Sequence, residues 1–435
     1  MTVHVPPRVP VRWRIFGFLF AIGVLEYFQQ RGLTVAAARM MPDLQFSQMQ
    51  IGWVEQAFVI GYALCQLPGG VLGQHWGARA TFSGIGVVSV VCIVATVIAP
   101  EVWSGTTLFA ALFALQFLLG VGQAPTFPVS TGVFETWFPP KHWALVQGLQ
   151  TMGLGLGGAL APPIIAILMT RAGWQQALLW TAIPAVPLFL WWAYYGRNNP
   201  REHPSVGAEE LALLSDPASE RANAQLTLAE LWLMLRNRHV LLLTLSYFAA
   251  QYTYYLIGNW CFLYLVQERH FPVLASGWLA SAPPLAAGIG SAMGGVIASA
   301  LFTRLGSRRG FRIMPLLALP AAGLLLIATV HAQNTYGAVA LLTVCYWLIE
   351  LTEGSYWAAV MTVGGKNSMA VGGIMNTGGS MAGVLGIPII AYLSGHGAWN
   401  ATFLLGTVLA TTGAVAWFAI DASVSATGDA GHVVR

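Results

Sequence analysis

The sequence predicts an all-α membrane protein: twelve transmembrane helices in two six-helix pseudo-repeat bundles. Three observations lead there. The 435 residues are 56% hydrophobic and only 8% charged, where a soluble domain carries about 25% charged residues, so a bilayer is the solvent this composition suits. Apolar runs long enough to cross the hydrocarbon core, which takes roughly 20 helical residues, recur twelve times. Short fragments also repeat at one fixed offset.

The runs lie near 14–37, 51–73, 80–99, 106–128, 143–169, 175–195, 240–266, 273–302, 313–331, 336–361, 369–394 and 398–420. An even number puts both ends on one side. The stretch before the first run is short, basic and Pro-rich, and the run continues too far for a signal-peptide core. The one long polar segment, about 196–238, carries Arg197, Arg201, Arg221, Arg236 and Arg238 and reads as a solvated linker. Domains are therefore expected at 1–196 and 239–435, joined by 197–238. With the N-terminus inside, internal segments hold 16 of the 20 lysines and arginines, the outer loops hold Arg39, Arg171 and Arg269, and Arg31 falls within a span. Positive charge collects on the cytoplasmic side, so both termini are expected there.

The repeat divides the chain in two. Gly69-Gly70-Val71-Leu72 recurs as Gly294-Gly295-Val296-Ile297, Pro163-Ile164-Ile165-Ala166 as Pro388-Ile389-Ile390-Ala391, Trp174 as Trp399 and Gly153 as Gly378, each 225 residues on. Parallel halves of this kind place a transport site between them near mid-membrane.

Several function classes are excluded. Cys65, Cys92, Cys261 and Cys345 all lie in apolar runs, which fits neither a disulfide framework nor a metal site. There is no Walker loop, His/Cys metal spacing or G-x-S-x-G, and no soluble domain longer than the linker. No enzyme activity, cofactor or metal is expected. The net charge of +4 is modest and scattered through loops, so no nucleic-acid partner is expected either.

A charge inside a span costs roughly 2.5–3.5 kcal/mol on insertion scales, so it marks function by default. The first span holds Glu26 and Arg31, the second begins with Glu55, and the tenth holds Glu350 and Glu353. Arg31 is the only basic residue well inside a span. A guanidinium grips a carboxylate through two parallel hydrogen bonds, so Arg31 is expected to bind a substrate anion; the alternative is a structural ion pair or a place at the outer mouth. Glu350 and Glu353, three residues apart, lie on neighbouring helix faces, and Trp357 extends that side by a turn. Glu353, Glu350 and Glu26 are the expected proton-coupling groups, while Glu55 reads as a solvated helix end. Tyr27, Gln30, Gln123 and Gln150 are further candidates for substrate binding, with Tyr255, Asn259, Trp260 and Asn376, although aromatics and amides at helical spacing more often pack than bind.

Motifs narrow the reading. Tyr62-Ala63-Leu64-Cys65-Gln66-Leu67-Pro68-Gly69-Gly70 closes the second span, and Gly122-Gln123-Ala124-Pro125, followed by Trp137-Phe138-Pro139, marks the fourth. Pro200-Arg201-Glu202-His203-Pro204-Ser205-Val206, with Glu209 and Glu210, opens the linker, and Asn376-Thr377-Gly378-Gly379 lies in the eleventh. In this order, over nearly the whole chain, they resemble the major facilitator superfamily, and within it the anion:cation symporter family of organic-anion, sugar-acid and aromatic-acid permeases. The resemblance implies a monomeric secondary transporter in the bacterial inner membrane. It would move a small organic anion (sugar acid, hydroxy acid or aromatic carboxylate) with protons, by alternating access. The alternative is a uniporter, exchanger or exporter, for which a zwitterionic or cationic substrate also fits.

The departures from the family pattern concern acids. The superfamily loop G-x-L-x-D-R-x-G-x-R reads Gly70-Val71-Leu72-Gly73-Gln74-His75-Trp76-Gly77-Ala78-Arg79, with Gln74 for the acid. Gly70, Gln74, Gly77 and Arg79 are the expected gating loop, and Ser299 stands at the equivalent acid position of the second half. Gln123 replaces the family's proton-coupling glutamate. The family's Asp-Arg pair in the first span aligns ungapped with Gln29-Gln30, or, with a one-residue gap, with Gln30-Arg31.

Overall fold

The computed structural model describes residues 10–214, 226–272, 276 and 278–426. Among them, seven continuous helical runs are long and apolar enough to cross a membrane. Four of these runs fold back on themselves at Gly77, Gly173, Gly306 and Gly365, whose φ values are 77°, 83°, 74° and 50°. That region admits glycine because it has no Cβ. The first helix, Val11–Leu44, adds a further crossing whose middle is polar from Glu26 to Arg31. Twelve spans result: Val11–Leu44, 48–76, 78–102, 105–137, 143–172, 174–195, Arg238–Gln267, 282–305, 307–331, 335–364, Ser368–Gly395 and Trp399–Ala419. They are called spans 1 to 12 below.

Three spans are broken in mid-course. Span 4 breaks at Ala124-Pro125 and span 6 at Ile183-Pro184, where proline lacks the N–H that would continue the ladder. Span 10, expected to be continuous, breaks at Leu351-Thr352, between Thr335–Glu350 and Glu353–Gly364. Here the Thr352 hydroxyl donates to the Ile349 carbonyl at 2.6 Å. Glu350 and Glu353 therefore flank a break rather than sharing one helix face.

The repeat reappears in the packing of the halves. A Cβ at Gly70 would stand 2.3 Å from the Met369 carbonyl oxygen, and one at Gly295 would stand 2.6 Å from that of Ala144. Both residues of the second pair lie 225 from residues of the first. Gly148 against the Ser291 oxygen (2.3 Å) and Gly373 against that of Gln66 (2.8 Å) repeat the relation. Span 2 thus meets span 11, and span 5 meets span 8, with backbones touching, which small residues permit. These contacts close the end of the bundle that carries the linker.

The linker is tied to both halves. Glu210 accepts hydrogen bonds from the backbone N–H of Val11 (3.1 Å) and Arg12 (2.9 Å), satisfying the first turn of span 1. A short helix, Leu228–Arg236, starts with a capping box between Thr227 and Glu230. Glu230 then pairs with Lys366, in the turn before span 11, at 3.1 Å. The Thr227 backbone N–H, with Lys366 in support, holds the Glu230 carboxyl down to about 2. The four cysteines are free.

Candidate functional site

Toward the other end the halves part around a cavity of about 750 Å³, lined by spans 1, 2, 4, 5, 7, 10 and 11. Its lining holds one basic side chain, Arg31, against four carboxyl groups: Glu26, Glu55, Glu350 and Glu353. Glu55, expected as a solvated helix end, is part of the cavity wall because the outer part of span 2 faces inward.

The Arg31 guanidinium lies over the Tyr27 ring, 5.2 Å from its centroid, a cation–π contact, and donates to the Tyr27 hydroxyl at 3.4 Å. Among the described residues it forms no ion pair. The Tyr27 and Tyr254 hydroxyls, 2.6 Å apart, join span 1 to span 7. The register of span 1 follows. Gln30 and Arg31 line the cavity. Gln29 turns into its own half, where its amide donates to the Thr181 carbonyl (3.2 Å) and accepts from Gln123 Nε2 (2.8 Å). Gln123 borders the cavity and donates to Gln29 Oε1 (2.8 Å) and to Ser89 Oγ (3.4 Å).

The carboxyl groups differ in their surroundings. Glu353 accepts from Trp357 Nε1 (2.9 Å), Gln251 Nε2 (3.1 Å) and the Tyr247 hydroxyl (3.3 Å). Glu26 accepts from the Thr126 hydroxyl at 2.5 Å. Glu350 is 3% exposed and, among the described residues, makes no hydrogen bond. Asn376 donates to Gln66 Oε1 at 2.9 Å, crossing from span 11 to span 2. Tyr255, Asn259, Trp260 and Trp357 line the same space.

Gln150 is the exception among the expected binding residues. It is fully buried beside the cavity, not in its wall, and donates to Ser130 Oγ (2.7 Å) and the Leu19 carbonyl (3.3 Å), fastening span 5 to spans 4 and 1. Conversely, Tyr247, Gln251 and Tyr254 line the cavity without having been singled out. Their spacing, 247, 251, 254 and then 255, is a one-face helical stripe that the sequence displays.

At the closed end, Gln74 donates to the Lys366 carbonyl, and Ser299 Oγ accepts from the Leu145 N–H at 3.0 Å, at the start of span 5. Both neutral residues at the acid positions thus bond across the halves. Arg79 does not; it donates to the Ala193 carbonyl from Nη2 (2.6 Å) and Nε (2.9 Å), fastening the turn at Gly77 to the end of span 6. Beside Gln74 lies Glu135, a buried acid of span 4 that the sequence reading passed over, which accepts a hydrogen bond from the Ser368 hydroxyl of the other half.

Known proteins resemble the chain along nearly its full length. A probable sulfoacetate transporter of Cupriavidus necator is 28% identical over 411 residues, 94% of each chain. A hexuronate transporter of Bacillus subtilis is 26% identical, covering 92% of both, and a D-galactonate transporter of Escherichia coli is 25% identical, covering 96% of this chain and 97% of that one. Among solved structures, the fucose transporter FucP in its outward conformation superposes with a TM-score of 0.71 at 13% identity, over 94% of this chain and 99% of that one. The proton:xylose symporter XylE superposes with 0.75 at 11%, over 93% and 94%. At those identities the likeness is one of fold. The profile of the Major Facilitator Superfamily matches residues 19–368, and with a twelve-helix bundle around a polar central cavity the chain belongs to that superfamily, an integral membrane transporter and not an enzyme.

Proposed function

We propose that the protein moves a small organic anion (a sugar acid, hydroxy acid or aromatic carboxylate) across the bacterial inner membrane by alternating access, with proton symport. The observation that carries this is Arg31: a guanidinium in the wall of the cavity between the halves, held by Tyr27 and free of any ion pair among the described residues. A guanidinium so placed offers a fork for a carboxylate or sulfonate. The relatives' names, sulfoacetate, hexuronate and galactonate transporters, support the same class of cargo.

The bundles are taken as 1–196 and 239–435 with the linker 197–238 between them, and both termini are placed in the cytoplasm on the distribution of basic residues. In that orientation the closed end faces the cytoplasm and the cavity opens outward. Proton coupling then falls to Glu350, Glu353 or Glu26, since Gln123 and the glutamines of span 1, Gln29 and Gln30, cannot titrate. Glu350, which makes no hydrogen bond among the described residues, is the first candidate. A monomer surrounded by lipid suffices for this scheme. The four carboxyl groups against one arginine favour a second reading, transport of a zwitterion or cation without proton coupling.

Uptake by proteoliposomes, with sugar acids, aromatic acids and organic cations offered with and without an inward pH gradient, tests both readings. Organic acids accumulating only with the gradient is the expected result; accumulation of cations alone would overturn it.

A further inference from the structure

The linker reads from the sequence as solvated, yet its helix Leu228–Arg236 is apolar on both sides. Leu231, Met234 and Leu235 turn inward and pack against the core. Leu228, Trp232 and Leu233 turn outward and stay 86%, 60% and 54% exposed, with exposed Ala229 between them. Positions 228, 229, 232 and 233 fall on one helical stripe. The helix has two polar residues, and neither dilutes that stripe. Glu230 is taken up by Thr227 and Lys366. Arg236 stands at the far end, its guanidinium 5.8 Å from the centre of the Trp232 ring. A helix that is hydrophobic all round belongs in a core or against lipid.

The position of the helix decides between these. A single residue, Asn237, separates its end from Arg238, the first residue of span 7. Its first turn is held through Glu230 to Lys366, in the turn between spans 10 and 11, at 3.1 Å. Both ends are thus pinned where spans enter the bundle, and the helix, about 14 Å long, lies across the rim instead of projecting from it. Beyond Asn237 the outward apolar surface continues on span 7 itself as exposed Leu241 and Leu245, one turn apart. The chain just before the helix, residues 215–225, carries no apolar side chain larger than alanine or proline with which to cover the stripe. Tryptophan settles at the level of the headgroups, and cations beside a span are drawn to anionic ones. Arg236 and Arg238, both exposed, stand between the stripe and the span. Arg238 spends only its Nε, on His239 at 3.2 Å.

We propose that the helix Leu228–Arg236 lies in the membrane–water interface on the linker side, with Leu228, Trp232 and Leu233 at the acyl boundary and Arg236 and Arg238 on the headgroups of anionic phospholipid.

The test uses the full-length protein in proteoliposomes of phosphatidylcholine and phosphatidylglycerol. It carries Cys65→Ser, because Cys65 is the one native cysteine that is not buried. An environment-sensitive fluorophore is attached at Ala229→Cys or, in a second variant, at Leu233→Cys, either of which keeps the test open should the other fail to fold. Phospholipid brominated on its acyl chains is expected to quench the label at least twofold more strongly than iodide in the water does. With the bromines carried by one lipid at a time in equal amount, phosphatidylglycerol is expected to quench at least 1.5-fold more than phosphatidylcholine, and Arg236→Gln with Arg238→Gln to remove that difference. Quenching by iodide alone would put the stripe in water and overturn the proposal. Protection from both quenchers would overturn it too, by showing the stripe covered by protein, from this chain or a second copy. Equal quenching by the two brominated lipids would overturn the role given to the arginines.

Discussion

Arg31 differs from a lysine in more than shape. Lysine offers a compact, strongly hydrated charge in place of a planar fork over the Tyr27 ring. Arg31→Lys is expected to cut initial uptake of an organic acid at least tenfold and Arg31→Ala to abolish it, both measured in proteoliposomes at matched protein content. A wild-type rate in the alanine variant would remove Arg31 from the site. Glu350→Gln is expected to lose accumulation driven by a pH gradient while keeping exchange of unlabelled for labelled substrate; unchanged accumulation would move the proton to Glu353 or Glu26. Arg31, Glu26, Glu350 and Glu353 were legible in the sequence because a charge in an apolar run is costly and so conspicuous. Tyr247, Gln251 and Tyr254 were not, since neutral residues at helical spacing look the same whether they face a cavity or a neighbour. Glu135 escaped because its place near the end of span 4 reads as solvated, whereas the structure buries it between residues of both halves, with its carboxyl accepting from the Ser368 hydroxyl.

Among the elements, the turns and the contacts between halves make different demands on glycine. Gly77 and Gly306 share one conformation, φ 77° and ψ 161° against φ 74° and ψ 178°, a region costing a residue with a Cβ on the order of 1–3 kcal/mol. A Cβ at Gly306 meets nothing within 4 Å, but one at Gly77 lies 2.3 Å from Asn198 Nδ2. Gly77→Ala should therefore lower the unfolding temperature more than Gly306→Ala, a comparison that one thermal scan of each variant settles. Gly70→Ala is expected to act otherwise. Its Cβ would press on Met369 across the halves, so each bundle keeps its packing while the closed end is forced apart. A cysteine placed at Thr136, beside this contact, should then react faster with a soluble maleimide; an unchanged rate would show that the helices absorb the strain. The 225-residue repeat made the paired glycines visible in the sequence, but not their partners. Nothing in local pattern says that Gly70 meets Met369, or that span 10 breaks at Thr352 without a proline.

For the whole molecule, acid is expected to loosen the closed end first. Burial lowers His142 and His203 from the usual histidine value. A group of this kind favours the folded state above about pH 6.5, and its contribution fades as pH falls below that. Glu230, held at about 2, contributes fully above the ordinary carboxylate range and is lost between there and pH 2. Unfolding temperature should thus decline in two stages on acidification, and Glu230→Ala should flatten the lower stage only. A profile identical to wild type would mean the Glu230–Lys366 pair adds nothing measurable, as exposed pairs often do not. The twelve crossings, the linker and the two halves were readable from composition and repeat because the bilayer fixes helix length, whereas the path of the linker back to Val11 and Lys366 depends on single long-range bonds. The left-handed glycine turns bear on how such a body can rock. They recur at both ends, at Gly77 and Gly306 on one side and at Gly173 and Gly397 on the other, where glycine turns the chain at no steric cost and keeps its backbone freedom. In mechanical terms the rims carry compliant corners and the breaks of spans 4, 6 and 10 add joints in mid-beam, so the molecule should bend beside its cargo as well as at its rims.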